Sequence, residues 1–340
     1  MFLARLQSWR RPLLWGAALV LLALLFRGGL YWRNIHAPLV LDEVHILEVV
    51  PGTNLRRVLT GLEDQGILPD STDLLIYARF SDLATRMQAG EYELQPGIDG
   101  RALLALLASG KVLYHQVRLL EGWTLQQALA RIQSHPAIRA ELDPQDQEAL
   151  QAAFATEYYP EGLFFPDTYH FTRGTSDVQL LQRARVLMDE VLQSLWPARD
   201  SGLPFDTPYE ALILASIVEK ETGQAAERER IAGVFVRRLQ LNMRLQTDPT
   251  VIYGLGTAFD GNLTRAHLRA DTPWNTYTRH GLPPTPIALP GLDSIAASLH
   301  PEPGDALYFV SMGDGSHYFS STLEEHNQAV RRYQLNIQTE

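Results

Sequence analysis

The chain has 340 residues, enough for about two domains, and its 46% apolar and 20% charged residues are the balance of a folded globular protein. A formal net charge of -10 with dispersed basic residues argues against nucleic acid as a ligand. Cysteine is absent, which excludes disulfides, thiolate catalysis and Cys-ligated metal and suits an oxidising compartment.

Arg5, Arg10 and Arg11 precede PLLWGAALVLLALLF, residues 12–26, a stretch without charge. At ~1.5 Å per residue it reaches about 22 Å, short of the ~30 Å hydrocarbon core. A cleaved signal peptide is the competing reading, but no A-x-A-like site follows. If Arg27 snorkels, the helix extends through Tyr31 and Trp32 at the interface, giving an uncleaved span over 12–32. The arginine bias places residues 1–11 in the cytoplasm and the remainder outside the membrane.

VHILEVVPGTNLRRVL (44–59) and VRLLEGWTLQQAL (117–129) align at an offset of 70 residues, with Gly52 on Gly122, Leu55 on Leu125 and Leu59 on Leu129. Each reads as an alternating strand, a turn glycine and a helix with apolar residues at i and i+4. Between them the pattern predicts a helix around 73–84, the strand GEYEL at 90–94, and a helix ending at Gly110. The span 44–132 is therefore one small α/β module carrying both repeats, or else a plain spacer. Residues 133–157, rich in Gln, Asp and Glu, read as a helical connector, and 158–340 as a second domain.

Within that last span, 194–208 reads as a loop and residues 209–221 as a buried helix. An amphipathic helix follows, with Ile231, Val234, Phe235 and Leu239 on one face and the charged run 227–230 on a solvated one. The end is a hairpin turning at Gly313-Asp314-Gly315, then a helix opened by a capping box, Thr322 to Glu325.

Ala211 to Val218 is apolar except for Ser216, yet it ends in Glu219, Lys220, Glu221. At 100° per residue, Leu212 lies about 20° from Glu219 and Ala215 about 40° away on the other side, so Glu219 continues an apolar stripe, with Glu221 about 160° round. A carboxyl on that stripe loses hydration, which disfavours its charged form. A carboxylic acid that keeps its proton near neutral pH is what a general acid must be. Periodicity alone leaves open a plainer reading, a helix-end glutamate pointing out or paired with Arg237 or Arg238. Asp248, in Thr-Asp-Pro, is a second candidate carboxylate, but Asp before Pro is also an N-cap with proline at N1. His300, His317 and His326 lie near one another without metal-ligand spacing, and no phosphate loop or nucleophile elbow occurs, so no metal or cofactor is expected. Tyr169, Gln246, Asn275, Tyr277, Trp274 and Tyr318 sit in loop-like segments, where amphipathic rings beside amides suit a carbohydrate groove or ordinary loop packing.

EGLFFPDTY (161–169), ASIVEKET (215–222), RLQTDPTVIYG (244–254), PWNTY with GLPPTPI (273–287), and LYFV with HYFSSTLEEHN (307–327) occur together and in order. With the anchor they resemble the membrane-anchored endolytic murein transglycosylases, the YceG-like family. The chain differs at Leu163, where an aromatic is common, at Trp274 for a frequent Tyr and at Thr285 for a frequent Gly. The resemblance implies an α+β fold: an N-terminal transmembrane helix, a small LysM-like α/β module over 44–115, then a mixed α+β catalytic domain over 158–340. It also implies Glu219 as catalytic residue, sugar contacts from Tyr169, Gln246, Asp248, Asn275 and Tyr277, and cleavage of the MurNAc-β-1,4-GlcNAc bond of nascent strands to 1,6-anhydro ends. Implied partners are peptidoglycan strands and peptidoglycan synthases. A lysozyme-type hydrolase and a non-catalytic peptidoglycan-binding scaffold are the alternatives.

Overall fold

The computed structural model describes residues 3–335, with side chains from Leu14 onward. The expected cytoplasmic arginines Arg5, Arg10 and Arg11 therefore lie outside the described side chains. Contacts divide the chain into two units, Met1–His115 and Gln116–Glu340.

The first unit runs α1 (Leu3–Ile35), β1 (His45–Val49), α2 (Leu55–Asp64), α3 (Thr72–Phe80), β2 (Gly90–Leu94) and α4 (Gly100–Ser109). β1 and β2 pair antiparallel, with His45 opposite Leu94 and Val49 opposite Gly90. The turn into α2 needs Gly52 at φ 82°, and Asn54 then caps the helix by accepting from the Arg57 N–H. Leu47 and Val49 of β1, Leu59 and Leu62 of α2, Tyr92 of β2 and Leu103 and Leu107 of α4 close one core.

α1 is long and apolar enough over Leu14–Ile35 to cross a membrane. Arg27 pairs with Asp73 at 2.5 Å, Asn34 donates to the same carboxylate at 2.9 Å, and Ile35 is buried in the core of the unit. Tyr31 packs on that core while Trp32 stays exposed. The end of α1 meets the first unit through Asn34 and Ile35, and Arg27 and Asn34 together satisfy the buried Asp73 carboxylate.

The boundary between the units falls within β3 (His115–Arg118), which pairs with β4 (Thr168–Phe171) of the second unit; α5 (Leu125–Gln133) and α6 (Gln147–Ala153) lie between them in sequence. The second repeat folds here, apart from the first: Val117, Leu119, Leu125 and Leu129 enter the core of this unit, and contacts divide the span 44–132 at His115, the end expected for the small module. The connector is helical only in α6. Residues 135–145 are irregular because the buried Asp177 carboxylate takes the Glu141 and Leu142 N–H groups, which a helix would have paired internally.

α7 (Asp177–Leu195) follows, a long helix that the sequence reading did not identify; its capping box, Ser176 with Gln179, and the stripe Leu181, Ala184, Met188, Leu192 were the available signals. Then come α8 (Pro208–Glu221), α9 (Arg228–Gln240), α10 (Asp248–Leu255), α11 (Arg265–Arg269), α12 (Leu292–Leu299), the antiparallel hairpin β5 (Tyr308–Ser311) and β6 (His317–Ser320), and α13 (Leu323–Tyr333). Thr322 and Glu325 form the expected capping box on α13.

Candidate active site

α8 is the central element of the site. Thr207 and Glu210 close a capping box, Pro208 opens the first turn, and every residue from Ala211 to Val218 is buried among α9, α10 and α12. Full burial of a Leu, Ile or Val contributes about 1.5–3 kcal/mol each. Ser216 is satisfied in this core: its hydroxyl donates to Ile213 O at 2.7 Å and accepts from Ile287 N at 3.0 Å, which ties the Pro-rich segment to the helix.

The two glutamates at the end of α8 face different surroundings. Glu219 Oε2 accepts from Gly291 N at 3.0 Å and Ser294 Oγ at 2.7 Å, at the start of α12. Glu121 lies against Gly291 on the same side; burial first, then repulsion from Glu219, pushes its carboxyl above the usual range. Lys220 donates to Gly122 O at 3.1 Å. Arg237 and Arg238 are bonded to backbone carbonyls, including Ala306 O, Leu307 O and Leu245 O, so they do not form the ion pair considered for Glu219.

Glu221, on the opposite face, lines a cavity of about 510 Å³ together with Arg238, Gln246, Asp248, Tyr277 and His317; β5 and α13 form its far wall. Glu219 is not among the lining residues. Burial pushes the Glu221 carboxyl up to about 7, with repulsion from Asp248 adding to it, against a hydrogen bond from Thr247 Oγ1 and the attraction of His317 and Arg238. Two residues past Glu219, the loop after α9 and the hairpin wall in the Glu221 side of the helix.

Asp248 is not the N-cap of α10. Thr247 occupies that position and Asp248 is the first helical residue, with Pro249 after it. Its carboxylate instead accepts from Tyr277 Oη at 2.6 Å, and burial followed by that contact raises the Tyr277 phenol. Gln246 has φ 53°, a left-handed conformation that costs a non-glycine residue about 1 kcal/mol or more, held by its N–H to Thr276 O at 3.2 Å.

Two other expected sugar contacts have structural surroundings. Asn275 is fully buried and its amide donates to the carbonyls of His267, Leu268 and Ala270, which fixes the loop that carries Tyr277. Tyr169 is buried and donates to Phe165 O at 2.6 Å, away from the cavity. Trp274 and Thr285, two positions where the chain departs from the family pattern, meet: the indole Nε1 donates to Thr285 Oγ1 at 3.0 Å.

The charged run 227–230 is only partly a solvated face, since Glu227 and Arg228 are largely withdrawn from water, Glu227 against His317 and Arg228 beside Asp293. Of the three histidines, His300 lies apart, paired with Asp200, while His317, paired with Glu227, and His326, stacked on Tyr308, both line the cavity. Thr247, Arg238 and His317 are site residues that the sequence reading missed, and no local pattern marks them.

A third acid sharpens the contrast. Glu161 is buried and bonded by Leu125 N at 2.7 Å and Tyr253 Oη at 3.1 Å, and burial pushes its carboxyl up to about 7. It is sealed in the protein and does not line the cavity.

Residues 47–332 match the model of the YceG-like family. An endolytic murein transglycosylase of Bacillus subtilis (strain 168) is 30% identical over 90% of this chain and 90% of its own length. One from Streptococcus pneumoniae serotype 2 is 29% identical over 93% of this chain, which spans 64% of that longer relative. Among solved structures, a 2.6 Å crystal structure of a YceG-like protein from Listeria monocytogenes is similar, with 31% identity and a TM-score of 0.54 over 84% of this chain and 99% of that one. The family match and the Bacillus relative, each spanning most of the chain, establish that this protein belongs to the YceG-like family.

Proposed function

We propose that the protein is an endolytic murein transglycosylase whose acid and base is Glu221. The observation that carries this reading is one partly buried carboxyl, pushed up to about 7, in a cavity it shares with Gln246, Asp248 and Tyr277. An acid titrating near the working pH can both give and take a proton. Glu221 protonates the glycosidic oxygen as the MurNAc-β-1,4-GlcNAc bond breaks, and the muramoyl 2-acetamido carbonyl stabilises the cationic centre. The resulting Glu221 carboxylate takes the proton from the C6 hydroxyl, whose oxygen closes the 1,6-anhydro ring. Two-carboxylate glycosidases need a second acid as nucleophile or water-activating base, whereas here the substrate supplies both nucleophiles. Asp248 then has a positioning role: it holds Tyr277 and keeps the neighbouring Glu221 protonated by repulsion.

Glu219 is the competing assignment, favoured by the apolar stripe and by what the family resemblance implied. Gln substitutions separate the two on purified sacculi: E221Q abolishes anhydro-ended products and E219Q retains them if Glu221 is the acid, with the reverse result sinking the reading. Mass spectrometry also decides the reaction class, because a hydrolase leaves reducing ends heavier by one water.

The same reading anchors the protein in the plasma membrane through α1, with the N-terminus cytoplasmic and the catalytic unit on the outer side, where it cuts nascent strands and limits their length beside peptidoglycan synthases. The order β1, α2, α3, β2 with an antiparallel pair supports a LysM-like glycan-binding role for the first unit. Sacculus pull-down by the intact chain and by variants in α2 tests that role.

A further inference from the structure

His317 opens β6 and lines the cavity that holds Glu221. One carboxylate grips it twice: Glu227 Oε1 accepts from the His317 backbone N–H at 3.0 Å and Oε2 pairs with Nδ1 at 2.7 Å. The two side chains are only 12% and 17% exposed. Phe309 meets the imidazole edge-on at 5.4 Å and Phe319 at 6.4 Å, fixing the plane of the ring. A ring held through Nδ1 has only Nε2 left for other partners, and a carboxylate behind an imidazole stabilises positive charge on it.

We propose that His317, held by Glu227, is a positioning residue of the reaction that stabilises the carboxylate Glu221 becomes when its proton passes to the glycosidic oxygen. The inference rests on Glu221 being the acid. The charged and titratable groups that share the cavity with Glu221 are Asp248 from α10, Tyr277 from the loop before α12, Arg238 from α9, Tyr308 from β5, His317 from β6 and His326 from α13; those around His317 are Glu227 and, across the Phe319 ring, Arg230. Asp248 opposes ionisation of Glu221, while Arg238 and His317 favour it. Arg238 directs its guanidinium to the carbonyls of Arg244, Leu245 and Leu307, and it remains charged throughout the working range. Burial pushes the His326 imidazole down, so His317, paired with Glu227 at the wall of the same cavity, is the partner singled out.

The sign follows directly. Removing a cation beside an acid makes the acid hold its proton to higher pH, so the alkaline limb of the rate profile moves up. The test is the pH profile of anhydro-product formation from purified sacculi by the detergent-solubilised full chain. H317Q and E227Q are expected to move the alkaline limb up by about one pH unit, and H317K, which restores a cation, to return it toward the parent position. A limb that stays in place while the rate falls equally at every pH, or that moves down, overturns the proposal. E227Q leaves the ring itself intact, so it reads the same effect if H317Q folds poorly. E221Q run alongside separates the two ideas: an active E221Q sinks the assignment of the acid, whereas an inactive E221Q with unmoved H317Q and E227Q limbs sinks only the role of His317.

Discussion

Glu219 and Glu221 stand two residues apart at the end of one helix and have unlike surroundings. Glu219 ties the start of α12 to α8, with Gly291 N and Ser294 Oγ on a single oxygen, beside the carboxyl of Glu121. Glu221 faces a cavity whose other walls come from α9, α10, the loop carrying Tyr277 and the terminal hairpin. Glu161 extends the lesson, since it is as strongly perturbed as Glu221 but sealed against Leu125 and Tyr253. A raised carboxyl becomes a usable acid only where a substrate can reach it.

The largest expected effect is that of E221Q: loss of anhydro-product formation by about 10²–10⁴-fold with an unchanged melting temperature, the range for removing a general acid. An equal loss in E219Q with E221Q active would reverse the comparison.

Next in size is a pH effect on stability. Glu161 and Glu221 both have folded values raised from 4.5 to about 7, so the folded state binds more protons than the unfolded chain between those values. Their contribution is fully present below about 4.5 and is lost as pH rises through about 7. E161Q should therefore flatten the decline in melting free energy between pH 5 and pH 8 by about 1–3 kcal/mol, measured by denaturant titration at each pH. An unchanged slope would mean that Glu161 is not desolvated as described.

A smaller effect is expected from Y277F, which removes the hydrogen bond to Asp248. Activity should fall about tenfold and stability by about 1–2 kcal/mol, since the lost bond is made to a carboxylate and lies at the cavity. The smallest effect on activity belongs to E219A. It leaves Gly291 N and Ser294 Oγ without their acceptor, so it should lower stability by about 1–2 kcal/mol while anhydro-product formation stays within a few-fold. A thermal melt with the product assay checks both halves.

Much of the fold was legible. Gly52 and Gly122 mark the two strand-turn-helix repeats, Gly313-Asp314-Gly315 the hairpin, and Thr322 with Glu325 the start of α13. These are local signals, with the conformation set by residues within a few positions. The grouping of the repeats was not legible, because partner choice for β1 and β3 depends on β2 and β4 far along the chain. Nor was the work of Asn275, whose amide could face a ligand or a loop with equal chemical sense until three carbonyls took it. Asp248 illustrates the same limit: Asp-Pro at a helix start is an N-cap by habit, and here Thr247 holds that position.

The sequence by itself determined that a capped helix buried on all sides ends in two glutamates, and that one of them could lose its hydration. It could not determine which, because a helix apolar around its whole circumference carries no periodic sign of where solvent enters. Only the tertiary structure decided that α12 occupies the side of Glu219 and that residues 26 to 96 positions downstream of Glu221, from Thr247 to His317, leave a cavity on its side. Helical angle sets the direction of a side chain; neighbouring elements set the dielectric and the access it finds there.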